Sequence, residues 1–431
     1  MKKTNKPDIV AKLTFAALAL PGLLQTASAG RVEETYNSEF QYGHYSESNG
    51  RMQVNIYDGA ISAPIGKSMT ASVSLVRDII AGASPVYNTR DAQGNISQVL
   101  SGASPTSYCE KSICEQRDGI SGNLTKFLDM GSLSFGGGYS REHDYSSKYF
   151  NTGASLDLNK KLTTLNFAAS VAFDDIQPSP SGYTGLKYID PDFKAHKTSQ
   201  QYLLGVSQII NKDSLMQSNM TFGYHSGYLT DPYKQVNVFG KFDSNGTLFD
   251  ISPNSGIIQE VRPGDRFEWA WLNQYIRNFD QFNHAALHTD YRFSTNTWGI
   301  NAHTFETSWY QPIKDGWMVI PRFRYYSQDQ ADFYQPVFDG VVNISNPNVL
   351  STLEGVSAYS SDYRLAGFGT LSGGIKFSKE FTEIKHVTEL KFQTGIEYYA
   401  HNSSFQLGGN NNSSFANFDY YLLTASVNMK F

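Results

Sequence analysis

Asp419-Tyr420-Tyr421-Leu422-Leu423-Thr424-Ala425-Ser426-Val427-Asn428-Met429-Lys430-Phe431 is the stretch whose reading decides the fold. Tyr421, Leu423, Ala425, Val427, Met429 and Phe431 fall on one face of a strand. Tyr420, Leu422, Thr424, Ser426, Asn428 and Lys430 fall on the other. Alternation with a strict period of two over this length asks for an oily environment on one side and a wet one on the other. A soluble sandwich supplies that pair of environments, and so does a bilayer with an aqueous lumen behind it.

Working outward from this strand, a chain end at Phe431 resembles the signal by which barrel-assembly machinery recognises outer-membrane barrels. The other end agrees. Lys2, Lys3, Lys6 and Lys12 precede and flank an apolar run from Leu13 to Leu24, and Ala27-Ser28-Ala29 stands before Gly30. This reads as a secretory signal peptide over residues 1–29 with an A-x-A cleavage site. The apolar run is about a dozen residues, whereas a spanning helix needs roughly 20. No later segment is long enough, and the mean hydropathy is −0.39. A membrane location therefore requires a closed barrel, because lipid cannot satisfy the open edge of a sheet.

Residues 30–431 read as one domain: no Pro- or Ser-rich linker and no shift in composition divides them. Aromatic residues reach 14%, with 27 Tyr and 28 Phe, while charged residues are only 17%. Excess Tyr and Phe suit the girdles at two membrane interfaces. Removing a leader with four Lys and one Asp moves the formal charge from −5 to −8. That balance offers no basic footprint for nucleic acid. Cys109 and Cys114 are the two cysteines, and in an exported chain their spacing reads as a small disulfide loop. A zinc site would need a second pair of ligands.

Alternating segments number sixteen in this reading, within a range of 14–18. They lie near 31–46, 50–63, 68–87, 115–128, 131–145, 146–159, 162–176 and 198–211. The others lie near 214–227, 265–279, 281–294, 297–313, 316–329, 360–379, 384–400 and 418–431. Five tight connections, at 128–131, 159–161, 211–214, 279–281 and 314–316, fall on one side when counted from the N-terminus. The stretches 88–114, 177–197, 228–264, 330–359 and 401–417 fall on the other. Short periplasmic turns opposite long outer loops are the asymmetry of an up-and-down transmembrane antiparallel β-barrel. An all-β fold of that kind, anchored in outer-membrane lipid, is the expectation.

Parity then assigns the lumen. Leu165, Phe167, Ala169, Val171 and Phe173 oppose the inward set Asn166, Ala168, Ser170, Ala172 and Asp174. On 281–294, His284, His288, Asp290 and Arg292 point inward. On 316–329, Arg322, Arg324, Tyr326 and Gln328 do, and on 384–400, Glu389, Lys391, Gln393 and Glu397. In 297–313, Trp298, Ile300 and Ala302 read as lipid-facing, which puts His303 inside; Glu306 breaks that parity and suggests a bulge. Mixed lumenal charge either rigidifies the wall or creates a transverse field that selects small polar solutes. The scattered histidines read as wall residues rather than a metal site, and neither a cofactor set nor a nucleophile with an adjacent base stands out. The expected role is a channel or transport component. A non-conducting scaffold and a barrel-embedded hydrolase are the alternatives.

Several stretches together resemble the domain of unknown function 3570 family of Gram-negative outer membranes. They include Ala81-Gly82-Ala83-Ser84-Pro85 and its echo Ser101-Gly102-Ala103-Ser104-Pro105. Others are Gly227-Tyr228-Leu229-Thr230-Asp231-Pro232-Tyr233-Lys234, Arg262-Pro263-Gly264-Asp265-Arg266, Trp298-Gly299-Ile300 and Pro321-Arg322-Phe323-Arg324-Tyr325-Tyr326. The resemblance implies a barrel in the cell envelope, with a periplasmic lipoprotein and an extracytoplasmic redox or flavin system as partners. Read physically, Asp231-Pro232 initiates a turn. The two Gly-Ala-Ser-Pro copies bracket an excursion expected to fold into the mouth as a constriction.

Overall fold

The computed structural model describes residues 35–48, 51–82, 85–90, 96–100, 113–178, 192–241, 257–341, 356–381, 384, 387–409 and 417–431. The leader, Ser84, Gly102, Ser104, Pro105 and Cys109 lie outside the described residues, and so does the side chain of Cys114.

Sixteen strands close into one barrel. They are β1 (Asn37–Glu47), β2 (Met52–Ile65), β3 (Met69–Gly82), β4 (Ile113–Leu128), β5 (Gly131–Arg141) and β6 (Tyr145–Leu158). Next come β7 (Thr163–Ile176), β8 (Ala195–Asn211), β9 (Ser214–Gly227), β10 (Asp265–Phe279) and β11 (Ala285–Asn296). The last five are β12 (Asn301–Pro312), β13 (Trp317–Gln328), β14 (Phe368–Phe381), β15 (Glu389–Asn402) and β16 (Phe418–Lys430). Each matches one of the sixteen alternating segments. Neighbours in the chain pair antiparallel, and β1 closes the barrel on β16, with Asn37 opposite Lys430 and Glu47 opposite Tyr420. Closure leaves none of these sixteen strands at an open edge.

The connections divide by end. Those at 66–68, 129–130, 159–162, 212–213, 280–284 and 313–316 lie together at a short-turn end, with the described residues of the link from β14 to β15. Gly131 shows why such turns choose their residues. It sits at φ +146°, and a Cβ there would run into the Ser155 carbonyl. The opposite end carries the described parts of 83–112, 177–194, 228–264, 329–367 and 403–417, with brief crossings between β1 and β2, at 142–144 and at 297–300.

The outer face is apolar. Phe150 is 63% exposed, Phe167 46% and Leu204 49%, and cross-strand register stacks Leu204 beside Phe167. Aromatic rings and cations gather at the short-turn rim. Trp309 lies 5.5 Å from Phe279 and 5.8 Å from Phe282. The Arg277 guanidinium is 5.2 Å from the Phe279 ring, and the Lys379 ammonium sits over Trp317 and Phe381. A second aromatic row, Trp269–Phe293 and Phe305–Tyr325, follows the long-loop rim.

Three sequence expectations change here. Trp298 and Ile300 belong to the crossing at 297–300, where Trp298 is buried at 4% exposure. Ala302 therefore begins the inward set of β12 and His303 the outward set, the reverse of the expected parity. Glu306 marks no bulge, since the β11–β12 register runs unbroken from Thr295–Asn301 to Ala286–Tyr310. Its carboxylate continues the regular inward set.

Candidate functional site

The inward face of β10–β15 carries a charged ladder. In register, Gln274 lies opposite Asp290, Asp290 opposite Glu306, and Glu306 opposite Arg324. Arg322, one step nearer the short-turn end, is the hub. It donates Nε and Nη2 to Glu306 at 2.8 and 2.6 Å, and Nη1 to both Glu397 oxygens at 2.7 Å. Lys376 adds a second cation 3.4 Å from Glu397, and the Tyr399 hydroxyl donates to Glu397 at 2.6 Å. Forked donation of this kind holds geometry as well as charge. Farther round the wall, Lys197 neutralises Asp174 at 3.0 Å and Arg266 meets Glu268 at 3.2 Å. Arg117 donates Nε to Asp78 at 2.7 Å.

Above this wall, the long loops build a cap. The strand Gln235–Lys241 pairs antiparallel with Ile257–Gln259 and parallel with Phe338–Val341, which stitches the 228–264 loop to the 329–367 loop. Val236, Val238 and Phe338 form its small core. The hairpin Pro85–Arg90 with Ile96–Leu100 joins it. Buried Asn88 donates to the Pro336 carbonyl at 3.0 Å, and Lys234 donates to the Pro85 carbonyl. Thus residues 88–90 and 96–100 of the excursion fold into the cap. A second hydrophobic cluster, Trp298, Tyr334, Leu365, Phe368 and Phe418, takes in Tyr326 and Tyr420 from the barrel wall.

A buried ionic knot ties the cap. Arg262 reaches Glu260 at 2.7 Å and Asp362 at 2.8 Å. Arg364 reaches Asp231 at 2.7 Å and also holds Asp362. Glu260 accepts from the Asp231 backbone N–H at 2.9 Å and from the Ser360 hydroxyl. Asp231 accepts the Tyr233 N–H at 3.0 Å, the turn that Asp231-Pro232 encodes. Burial works to raise the Asp362 and Asp231 carboxyls. The cations facing them, Arg364 first and then Lys234 and Arg262, hold both below the ordinary aspartate range. Glu260 goes the other way, because its burial outweighs Arg262.

Depressed carboxyls contribute stability that is present above their unfolded value and is lost as pH falls. The raised Glu260 contributes with the opposite sign. Two aspartates against one glutamate make the cap tight at pH 7, loosening below about pH 4. Limited proteolysis of the 228–264 and 329–367 loops across pH 3–7, with an acid-stable protease, would measure this. A cleavage rate flat across that range would contradict it.

The residues singled out in the sequence scatter differently from expectation. His284 is not lumenal: it lies in the 280–284 turn at φ +58°, 3.0 Å from Asp280 and largely exposed. His288 faces inward, buried against Tyr310 at 4.3 Å between ring centres. His303 faces outward beside Phe293, and its Nδ1 is 3.0 Å from the Tyr291 hydroxyl. The three imidazoles therefore do not meet, and no group of three metal-ligating side chains occurs among the described residues. Asp290 accepts from Gln274 at 3.2 Å. Arg292 is exposed to the lumen. Tyr326 donates to Gln328 at 2.7 Å. Glu389 pairs with Lys430 at 3.2 Å, and Lys391 lies between Glu380 and Asn428 in register. Lys376, Tyr399, Glu260, Asp362 and Arg364 escaped the sequence reading. Only proximity to the Arg262 motif could have flagged Glu260.

The family described as "Protein of unknown function (DUF3570)" matches residues 10–422. No curated protein matches. Among solved structures the chain is similar to the outer membrane protein opdK from Pseudomonas aeruginosa: 8% identity, TM-score 0.39, covering 92% of this chain and 99% of that one. A bacterial polysaccharide outer membrane secretin gives 6% identity and TM-score 0.47, over 93% and 99%. The siderophore receptor PirA from Acinetobacter baumannii gives 10% and 0.41, covering 86% of this chain and 53% of that receptor.

Proposed function

The chain belongs to the DUF3570 family of proteins of unknown function, and from that premise we propose an integral outer-membrane channel for small polar solutes, restricted at its outer mouth by the loop cap. The observation that carries this reading is the hydrophilic inside of a sixteen-stranded barrel. A barrel of eight strands is filled by its own side chains, whereas sixteen leave an aqueous lumen. Inward positions such as Asn166, Ser170, Gln201, Ser207 and Thr221 are polar in keeping with a wet interior. An apolar outer face with aromatic and cationic rims fits a bilayer. Strands of 11–17 residues, tilted about 40°, exceed the roughly 25 Å apolar band of such barrels.

Two measurements test this. In planar bilayers, properly folded protein should give discrete ion steps, and their absence would remove the channel. For the membrane location, Leu204→Arg should destabilise the folded barrel in lipid by about 2–4 kcal/mol, as charge at mid-bilayer does. Urea titration in liposomes reads this directly, and a cost no larger than that of Leu204→Ala would count against a lipid-facing Leu204. The aromatic cluster and ionic knot across the mouth favour a second reading, a non-conducting envelope component. Pull-down of a periplasmic lipoprotein or redox protein by a barrel that passes no current would support it.

A further inference from the structure

We infer that Arg292 and Arg324 form a binding site for a small oxyanion, carboxylate or phosphate, just beneath the cap. This inference deepens the channel reading and rests on it for the direction of traffic, but not for binding itself. The other lumenal arginines are neutralised: Arg117 by Asp78, Arg266 by Glu268, and Arg322 by Glu306 and Glu397. Arg292 and Arg324 have no ion pair among the described residues. Register puts Arg324 opposite Glu306, yet both oxygens of that carboxylate are already held by the Arg322 fork. The charge of Arg324 is therefore left over for the lumen.

Register brings the two guanidiniums within reach of each other. Arg292 stands opposite Thr304, Thr304 stands opposite Tyr326, and Arg324 lies two residues before Tyr326 on the same inward face. Their backbones are thus two strand spacings apart and one inward step offset, about 12 Å. Two extended arginine arms bridge that gap and can close on one anion. Ser372, opposite Arg324, supplies a hydroxyl at the same level. Two like charges side by side repel until an anion sits between them, so the arrangement favours occupancy. The planar fork of arginine matches the two oxygens of a carboxylate or a phosphate. A solute arriving from the mouth meets this pair before the paired Arg322 ladder.

Isothermal calorimetry on the full-length folded protein, with inorganic phosphate and separately with benzoate at low ionic strength, tests the site without requiring conduction. Saturable binding by one or both is expected. The double variant R292Q/R324Q should weaken it at least tenfold, R292K/R324K by less, and Arg277→Gln on the outer face should leave it unchanged. In a KCl gradient, the chloride-to-potassium permeability ratio should fall at least threefold in R292Q/R324Q. Heat-modifiable mobility in gels verifies folding, and if the glutamine variant fails it, the lysine variant carries the test. No saturable binding, or binding equal in wild type and folded variants, would overturn the site. Binding without ion steps would retain the site and remove the channel. Ion steps without anion binding would do the reverse.

Discussion

Replacing Asp362 by alanine is expected to release the cap and leave the barrel standing. Asp362 is buried and accepts from Arg262 Nη2 at 2.8 Å, from Arg364 Nε and from the Arg364 backbone N–H at 3.1 Å. Removing it leaves Arg262, only 11% exposed, with Glu260 as its one ion-paired carboxylate among the described residues. Breaking a buried pair from one side typically costs about 3–5 kcal/mol. Half-exposed Arg364 can turn to water, so most of the loss falls on Arg262. The cap rests on two small cores and this knot, whereas each barrel strand is paired on both edges. The cost should therefore appear as local opening. Trypsin should cut after Lys234 and Arg364 at least tenfold faster, and mean conductance should rise, while heat-modifiable mobility stays native. Wild-type proteolysis and wild-type current in this variant would disprove the latch.

Arg322→Gln is expected to turn the lumen strongly toward cations. Its guanidinium neutralises Glu306 and Glu397 together. Without it, Asp290, Glu306 and Glu397 face the lumen, and Lys376 on Glu397 is the one bonded cation left to them among the described residues. A cluster of carboxylates along a passage with low-dielectric walls concentrates counter-ions. The potassium-to-chloride permeability ratio should rise several-fold in a KCl gradient, and the shift should shrink as salt approaches 1 M. Arg322→Lys preserves the charge but not the fork, so it should retain most of the selectivity. Each unsatisfied carboxylate should cost about 1–3 kcal/mol in urea unfolding, moderated by lumenal water. An unchanged reversal potential in the glutamine variant would place the conduction path away from this ladder.

Much of the barrel is legible along the chain because period-two alternation reports the environment of each residue without reference to its neighbours. The sixteen segments and the division of short and long connections follow from it. Parity failed where a strand and a turn share chemistry. Trp298-Gly299-Ile300 has the composition of a strand but makes the crossing from β11 to β12, with Gly299 at φ +84°. Reading that crossing as the start of the strand carried the outward parity of Trp298 and Ile300 onto Ala302 and exchanged the two faces of β12, sending His303 inward and making Glu306 look irregular. His284 failed for a related reason, since the αL turn at 283–284 ends the alternation one residue before β11 begins.

The cap was less legible. Asp231, Glu260 and Asp362 lie in two separate loops, and nothing local announces that three carboxylates and two guanidiniums share one buried volume. Their pairing depends on a parallel ladder between Val238 and Phe338, which no period can report. The same limit governs the lumen. The sequence alone determined that the chain alternates, closes and turns its polar side inward, because the hydrophobic effect acts on each side chain separately. Only the tertiary structure decided which lumenal charges are neutralised, because an ion pair depends on register between strands. It left Arg324 one inward step, and Arg292 two, above the hub that Arg322 occupies, with neither in an ion pair among the described residues.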